Sequence, residues 1–292
     1  MELKTNDFSL LIPPTQAKPN IKMRELKVPE NLRKSYIVCS TGRSGSTLLC
    51  RTLGQLGYGN PQEYFHNKVR NELGFKENPS LDEFLRYWEL ILEKETSIDG
   101  VFGIKMHWWQ LYNFLKVARQ LPSFAEKSDY SILNAFFSNP DFVYIRRDDM
   151  VSQAVSTVIA LQTKTWVVPS GKEKLNQQDL VQEKSDKIKF EPLKIYKWEQ
   201  SFKYQNQAWV NFLTSEVEKE FYSIEHKQLI QNFDHEIKSI VQFLGLKDLP
   251  KGTVLKMPTK RQSSKCNKDF VRSYNRVPKF FWKLLYRIKK AF

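Results

Sequence analysis

The fold is decided by residues 35–50, which read SYIVCSTGRSGSTLLC. The run Tyr36–Cys39 is apolar, rich in β-branched residues and ended by small ones, a pattern that favours a buried strand over a helix. Small or polar residues fill most of 40–45, and the Leu-rich pattern over 46–53 predicts a helix. A strand, a tight loop and a helix in this order aim the loop amides and the positive end of the helix dipole into one concavity. We therefore expect a phosphate-like anion to bind here.

The cation of this loop is an arginine in an unusual position. The nucleotide-hydrolase pattern places Lys directly after the last glycine of the loop, but Ser46 stands there and Arg43 lies two residues before Gly45. A planar guanidinium can bind two oxyanion oxygens at once. Glycines alone would equally suit a turn of no function, whereas the arginine favours anion binding.

Length and composition indicate a globular protein with one substantial core, or one core and an appended subdomain. Apolar residues make up 41% and aromatic residues 13% of the 292-residue chain, and no apolar run approaches the ~20 residues of a membrane-spanning helix. The run Phe8–Ile12 is too short for a signal peptide, so we expect a cytoplasmic protein. Cys39, Cys50 and Cys266 lack metal-type spacing and are interpreted as thiols, the first two buried.

The net charge of +14 is unevenly distributed. Residues 251–292 contain thirteen Lys or Arg and one acidic residue, Asp269, so this segment carries +12 and the other 250 residues carry +2. A nearly neutral main body fits poorly with nucleic-acid binding. The charge instead predicts a local anionic partner for the C-terminal segment.

Strand and helix patterns alternate along the chain and predict an α/β fold of three layers, a central parallel sheet flanked by helices. We expect an N-terminal arm at 1–34, one domain at 35–276 and a C-terminal helix at 277–292, with a long surface loop or lid at 169–187. The further predicted strands are Val101–Met106, Asp141–Arg146 and Phe221–Glu225, and the further predicted helices are 80–95, one from about His107, 150–161, 191–218 and 232–244. Ligands of such sheets bind outside the carboxyl ends of the strands.

A second anion site is predicted where the strand Asp141–Arg146 ends. Arg147, with Arg146 beside it, follows the strand directly, and Ser152 or Ser156 lies on the next helix. The alternative is a solvated strand end in which the arginines pair with the acidic residues 148 and 149. Two anion sites at one edge of a sheet imply a ligand with two separated anionic groups.

Four segments resemble the bacterial trehalose 2-sulfotransferase family in order and approximate spacing. These segments are Gly42–Leu49, Pro61–Phe65, Arg147–Ser156 and Leu161–Trp166, with weaker likeness at Gly100–Lys105 and Arg261–Ser263. The resemblance covers about residues 35–276. It implies a P-loop-like sulfotransferase fold, 3′-phosphoadenosine 5′-phosphosulfate as sulfuryl donor and no metal.

The resemblance also implies roles for individual residues. The phosphosulfate would lie in the loop, and Arg147 with Ser152 or Ser156 would hold the 3′-phosphate. Glu63 matches the family's proposed general base. Because negative charge develops on the leaving oxygen, we also expect Arg43, the loop amides and Lys105 to offset that charge. The residues expected to bind the donor are Arg43, Ser44, Gly45, Ser46, Thr47, Leu48, Arg147, Ser152, Ser156, Arg261 and Gln262; those expected to line the acceptor site are Glu63, Tyr64, Phe65, Trp108 and Trp166.

Some of these assignments have competing interpretations. Glu63 could be an ordinary surface residue after a turn, and His66 and His107 are alternative bases. Core packing suits Trp108 and Trp166 as well as a sugar-binding cleft does. The length and Lys content of the loop after Trp166 depart from what a disaccharide enzyme is expected to have, so the acceptor is interpreted as a sugar or a glycolipid.

The C-terminal segment 277–292 predicts a basic amphipathic helix that begins after Pro278. Its cations, Lys279, Lys283, Arg287 and Lys290, share one helical face, and Phe281, Leu284, Leu285, Ile288 and Phe292 lie mainly on the other. This pattern is typical of a helix on an anionic membrane surface. The alternative is a helix that docks on its own domain and leaves its basic face in water.

The sequence therefore predicts a cytoplasmic sulfotransferase, with peripheral contact at the inner membrane surface as one alternative and a homodimer left open. Two rival functions are a small-molecule kinase with a P-loop and a non-catalytic protein that binds membranes through its tail. The kinase requires a Lys after Gly45, which is absent.

Overall fold

The computed structural model describes residues 26–75, 79–166, 188–250, 252–259 and 265–291. Most of the predicted N-terminal arm, the whole of the predicted loop at 169–187, and Arg261 and Gln262 lie outside these residues.

A parallel sheet forms the centre of the described structure. Its strands are β1 (Lys34–Ser40), β2 (Val101–His107), β3 (Asp141–Arg146) and β4 (Tyr222–Glu225). They lie in the order β2-β1-β3-β4, and every neighbouring pair is parallel. All four predicted strands are confirmed. Strands that are covered on both faces need apolar residues at successive positions, which is why the runs in the sequence are continuous and not alternating.

Helices follow the strands and connect them. The helices of the described residues are α1 (Ser46–Gln55), α2 (Asn67–Glu72), α3 (Leu81–Glu95), α4 (Trp108–Ala118), α5 (Asp129–Phe137), α6 (Met150–Thr163), α7 (Pro192–Ser215), α8 (His226–Gln231), α9 (Phe233–Phe243), α10 (Lys265–Asn275) and α11 (Lys279–Ala291), and a short 3-10 turn covers Pro122–Phe124. The start of α3 is fixed by the capping box that the sequence predicts, in which Ser80 and Glu83 each bond the other's backbone.

The two faces of β1 contact two different apolar cores. Ile37 and Cys39 lie in the core that is formed with α3, α4 and α5. Tyr36 and Val38 point the other way, because successive strand residues alternate, and lie in the core formed with α1 and α9. The predicted three-layer α/β fold is confirmed. A third apolar cluster joins α6, α7, α10 and α11 beside the sheet.

Within the described residues, none of the helices has the length and apolar character that crossing a membrane requires. The predicted C-terminal helix is present as α11 and lies against α7.

Candidate active site

The register of the sheet brings the ends of three strands to one edge. Ser40, the last residue of β1, lies opposite His107 at the end of β2 and opposite Ile145 near the end of β3. The loop at 41–45 leaves this edge and leads directly into α1. The loop and the residues that follow β3 are therefore on the same side of the sheet, as the sequence predicts.

The loop and the start of α1 present hydrogen-bond donors without acceptors among the described residues. Gly45 precedes α1 and supplies no capping side chain, and the first turn of α1 contains no acidic residue. The Ser44 hydroxyl is fully buried, and no hydrogen-bond partner lies within its reach in the part of the chain that the structure describes. An anion bound here would accept hydrogen bonds from the open amides at the helix N-terminus and from the buried Ser44 hydroxyl.

Helix α6 holds the loop in this conformation. The buried amide of Gln153 donates to Thr41 Oγ1 at 2.8 Å and to the Gly42 carbonyl at 2.6 Å. Arg43 is in the left-handed region with φ of 63°, which is uncommon for a residue with a side chain. Its Nε donates to Ser156 Oγ at 3.1 Å, and its Nη1 donates to the Trp166 carbonyl. These bonds to α6 and to the segment after it direct the guanidinium along the edge of the sheet.

Two arginines meet at this edge, and their mutual repulsion favours a bound anion. Burial and the nearby charge of Arg147 lower the pKa of Arg43 to about 10. Arg146 is engaged elsewhere, since its Nε donates to Asp148 Oδ1 at 2.9 Å. The predicted pairing of the strand end with an acidic residue is thus seen for Arg146, and the charge of Arg147 acts on Arg43.

The two candidate serines of α6 differ in their surroundings. Asp149 caps α6 by accepting from the Ser152 amide at 2.9 Å, and it also accepts from the Ser152 hydroxyl at 2.5 Å. Ser156, one turn further along, bonds Arg43. The hydroxyl beside the loop is therefore that of Ser156, while that of Ser152 belongs to the helix cap.

A cluster of polar side chains surrounds Glu63 at the end of β2. Lys105 Nζ lies 2.8 Å from Glu63 Oε1, and His107 Nε2 lies 3.4 Å from Glu63 Oε2. The Gln110 amide donates to the same Oε2 at 3.0 Å. On the far side of the imidazole, His107 Nδ1 lies 3.1 Å from Ser40 Oγ. Lys105 and His107 point the same way because they are two residues apart on a strand.

The residue before Glu63 is hydrogen-bonded to the sheet, and the residues after it pack in the core. Gln62 forms a parallel bridge with Ile104, and its carbonyl accepts from the Lys105 amide at 3.0 Å. Tyr64 is 2% exposed and stacks on Phe102, and Phe65 packs among the aromatic rings of α3 and α4. The structure thus places both rings in the core, where they hold Glu63 at the sheet edge.

Lys105 connects the carboxylate to the loop. Besides its contact with Glu63, its Nζ donates to Thr47 Oγ1 at 3.2 Å, in the first turn of α1. Burial would raise the pKa of Glu63, but the charges and hydrogen bonds of His107 and Lys105 hold that pKa well below its ordinary value. Glu63 is therefore ionised at neutral pH and able to accept a proton, although the ammonium of Lys105 beside it makes it a weak base.

The remaining predicted residues occupy different environments. The side chains of Ser46 and Leu48 are buried in α1. The ring of Trp108 meets that of Trp209 edge to face at 5.1 Å, whereas Trp166 is 44% exposed beside Arg43. The His66 side chain caps α2 by accepting from the Lys68 amide, and its backbone amide donates to the Glu63 carbonyl at 2.8 Å. No group of three or more His, Cys, Asp or Glu side chains in the described ranges is arranged to bind a metal ion.

Comparison with known proteins identifies the family. A model of the Stf0 sulphotransferases matches residues 35–277, most of the chain. The chain belongs to the Stf0 sulphotransferase family. The match begins at the strand that precedes the loop, so it includes both the loop and the Glu63 cluster.

Two curated relatives of this sulphotransferase carry the same name. The trehalose 2-sulfotransferase of Mycolicibacterium smegmatis is 30% identical over 162 residues, 45% of this chain and 58% of the relative. That of Mycobacterium tuberculosis (strain Erdman) is 29% identical over 157 residues, 46% of this chain and 59% of the relative. The alignments thus span less than two thirds of either relative. The resemblance read from the sequence is confirmed at the level of the family.

Two solved structures are also similar to this Stf0 sulphotransferase. A sulfotransferase from Alicyclobacillus acidocaldarius is 12% identical with a TM-score of 0.44, covering 83% of this chain and 92% of that one. The sulfotransferase domain of the Synechococcus PCC 7002 olefin synthase is 15% identical with a TM-score of 0.34, covering 87% of this chain and 92% of that domain.

Several residues that lie at the sulphotransferase site were not among the site residues predicted from the sequence. His107 was weighed only as an alternative base, and Gln110 and Ser40 were not singled out. The period-2 spacing of Lys105 and His107 was a usable signal. Nothing local could reveal His226, whose ring lies over Gly45 although it is 181 positions away along the chain.

Gly45→Ala is expected to destabilise the loop more than an ordinary glycine substitution in the left-handed region. Gly45 has φ of +94°, and an added Cβ would lie 2.6 Å from the His226 ring. Gly57→Ala is the matched control, with φ of +82° and open space around the new methyl group. Urea unfolding should show a loss of about 1 kcal/mol for Gly57→Ala and a larger loss for Gly45→Ala. Equal losses would mean that the His226 contact does not constrain the loop.

Proposed function

We propose that this chain transfers a sulfuryl group from 3′-phosphoadenosine 5′-phosphosulfate to a hydroxyl group of a carbohydrate or glycolipid acceptor. The observation that carries the proposal is the Lys105 bridge, which joins a carboxylate that can accept a proton to the first turn after an anion-binding loop. Sulfuryl transfer needs these two parts side by side, because an acceptor hydroxyl loses a proton while an anionic group leaves.

The residues of the loop fit the donor's phosphosulfate. The open amides at the start of α1 and the buried Ser44 hydroxyl supply donors, and Arg43 supplies a planar cation. Arg147, whose charge acts on Arg43, is the group we assign to the donor's 3′-phosphate. Ser156 is the helix hydroxyl that we place with them, since it already bonds Arg43. The donor supplies the sulfuryl group, and this chain supplies the orientation and the charge.

Glu63 is the proposed general base, and Lys105 controls its strength. In the structure Lys105 lies within reach of both Glu63 and Thr47. When an anion occupies the loop, the ammonium of Lys105 is shared with that anion and holds Glu63 less strongly. The pKa of Glu63 then rises towards its ordinary value, and the carboxylate becomes a better proton acceptor. This arrangement would keep the base weak until the donor is bound.

The carbohydrate class of the acceptor is supported by two observations. Both curated relatives are named for transfer to trehalose. Trp166 is exposed and its backbone carbonyl accepts from Arg43, and an exposed aromatic face with a polar edge suits the apolar face of a sugar ring. Trp108 packs against Trp209, so we do not extend this role to it.

Purified full-length chain should form the nucleotide bisphosphate product from the sulfate donor only when an acceptor is present. The panel would contain trehalose, glucose, a trehalose-containing glycolipid and a simple alcohol such as ethanol, with mass spectrometry to find the sulfated product. We expect sulfation of at least one sugar acceptor and none of ethanol. Phosphoryl transfer in a parallel reaction with ATP and Mg²⁺, without any sulfation, would contradict the proposal and favour a kinase.

A further inference from the structure

The C-terminal helix α11 contacts the domain through one narrow face. Trp282 is 8% exposed, its ring is stacked on Tyr274 with centroids 5.5 Å apart, and its Nε1 donates to the Tyr274 carbonyl at 3.2 Å. One turn further along, the ring of Tyr286 packs against Tyr196 of α7 at 5.6 Å. The helix therefore docks on its own domain, and it does so through residues that the amphipathic pattern had not marked as its apolar face.

A buried carboxylate fixes the orientation of α11. Glu199 of α7 is 1% exposed and accepts hydrogen bonds from Lys279 at 2.6 Å and from the Tyr274 hydroxyl at 2.9 Å, and it pairs with Lys203 at 2.9 Å. Burial would raise the pKa of Glu199, but these donors hold it below its ordinary value. Rotation of α11 about its axis would separate Lys279 from a buried charge, so the helix is held with one side turned outward.

The side that faces outward is apolar. Residues of an α-helix are related by about 100° of rotation, which places one stripe of apolar side chains roughly opposite Trp282 and Tyr286. In the part of the chain that the structure describes, the stripe residues are exposed as follows: Phe280 61%, Phe281 45%, Leu284 51%, Leu285 45% and Ile288 47%. Phe292, which the sequence assigned to this face, lies outside the described residues. Monomeric soluble proteins rarely expose contiguous apolar side chains in this way.

Cations border the stripe on both sides. By the same rotation Lys283 and Arg287 lie along one edge and Lys289 along the other, and all three side chains are exposed. The segment 265–291 contains nine Lys or Arg and one acidic residue, Asp269, which gives a net charge of +8. An outward apolar stripe between two basic edges is the arrangement that binds a surface with an apolar interior and anionic headgroups.

We propose that α11 docks this protein on an anionic lipid surface, with the stripe entering the headgroup region and the lysines contacting lipid phosphates. A second copy of the chain is a poorer occupant of the stripe. A two-fold interface would place the same patch of both subunits together and would bring the basic edges of the two helices against each other, whereas anionic lipid is complementary to both the stripe and its edges. This inference is independent of the proposed sulfuryl transfer.

Co-sedimentation of the full chain with vesicles tests the proposal. Wild type should bind vesicles of phosphatidylcholine mixed with phosphatidylglycerol, bind pure phosphatidylcholine much less, and dissociate as salt rises. Leu284→Ser/Ile288→Ser should lower binding at least about tenfold, because two side chains that would leave water for the lipid surface lose their apolar area. Lys283→Glu/Lys289→Glu should also lower binding at least about tenfold, since it replaces two cations that anionic lipid attracts with two anions that it repels.

Matched variants elsewhere on the chain serve as controls. Ile98→Ser/Val254→Ser removes two exposed apolar side chains outside α11, and Lys116→Glu/Lys247→Glu makes the same change in net charge on other helices and loops. Both should bind vesicles as wild type does, and all variants should keep the wild-type Tm, which shows that they are folded. Vesicle binding that is unaffected by both α11 variants would overturn the proposal. The proposal would also be overturned if the wild-type protein is a dimer that does not bind vesicles and the Leu284→Ser/Ile288→Ser variant is a monomer.

Discussion

Glu63→Gln is expected to lower kcat for sulfuryl transfer by about 10²–10⁴-fold, the range that general acid–base catalysis contributes. Glutamine has nearly the same shape as glutamate and can still accept from the Gln110 amide, but it cannot take a proton at neutral pH. The substitution also releases Lys105, which lies 2.8 Å from the carboxylate in the structure. Affinity for the donor should therefore be retained or increased, because the freed ammonium can turn to the donor's anion.

The measurements are kcat for transfer at saturating donor and acceptor, and donor binding by calorimetry. Glu95→Gln is the control, because Glu95 accepts from Asn60 and from the Tyr64 hydroxyl and so supports the same segment from outside the site. We expect Glu95→Gln to lower transfer by no more than a few fold. If Glu63→Gln keeps wild-type kcat, then Glu63 is not the base, and His107, at 3.4 Å from it, takes its place as the candidate.

The contribution of Glu63 to the free energy of unfolding should depend on pH, and the direction of this dependence follows from its lowered pKa. The pKa of Glu63 is lower in the folded chain than its ordinary value. Its ionised form therefore stabilises the fold at all pH values above about 4.3, the unfolded pKa, and this contribution is lost as the pH falls through the lower folded pKa. The unfolding free energies of wild type and Glu63→Gln should thus converge as the pH falls below about 4.3. Urea titrations of both proteins at a series of pH values measure this.

The loop could be predicted from the sequence because its signals are local. Three adjacent features, a strand of apolar residues, a Gly/Ser loop with an arginine and a Leu-rich helix, lie within sixteen residues and need no partner elsewhere to be recognised. The same holds for Asp149, whose place before α6 marks a helix cap and which does accept from the Ser152 amide. Propensity and capping act over a few residues, so they are visible in the chain itself.

Contacts between distant segments could not be predicted in this way. Glu63 meets Lys105 and His107 only because Gln62 bridges Ile104, and no local pattern sets that register. The choice between Ser152 and Ser156 was open for a related reason, since residues four apart share one face of a helix. The structure distinguishes them because the cap residue engages Ser152.

Aromatic residues gave the least certain predictions. Tyr64, Phe65, Trp108 and Trp166 were all expected in the acceptor site, because a sequence shows that a residue is aromatic and not whether its ring faces a core or a cleft. The structure buries Tyr64 almost completely and leaves Trp166 nearly half exposed. Burial is decided by which elements cover the segment: α3 and α4 cover Phe65, and the Tyr64 ring stacks on Phe102 of β2.

Arg43→Gly is expected to lower kcat/KM about 10²–10³-fold, the usual loss when a donor to a developing anion is removed, without lowering stability. Arg43 has φ of 63°. This conformation is unfavourable for any residue that has a Cβ atom, but glycine adopts it readily. The wild-type protein therefore maintains a strained residue at the point where its guanidinium bonds Ser156 and the Trp166 carbonyl. Strain that persists at one position suggests that the side chain is needed there.

Three variants separate the contributions of charge, geometry and strain at this position. Arg43→Lys keeps a positive charge but loses the planar fork and the Nε bond to Ser156, so most of the loss in kcat/KM should remain. Arg43→Ala keeps the strain and loses the cation, so it should match Arg43→Gly in activity and be less stable by about 1 kcal/mol. Arg51→Ala, which removes an exposed arginine later in α1, is the control and should leave kcat/KM unchanged. Wild-type kcat/KM in Arg43→Gly would show that the loop arginine is structural, and the anion-binding role would then rest on the amides of α1 and Ser44 alone.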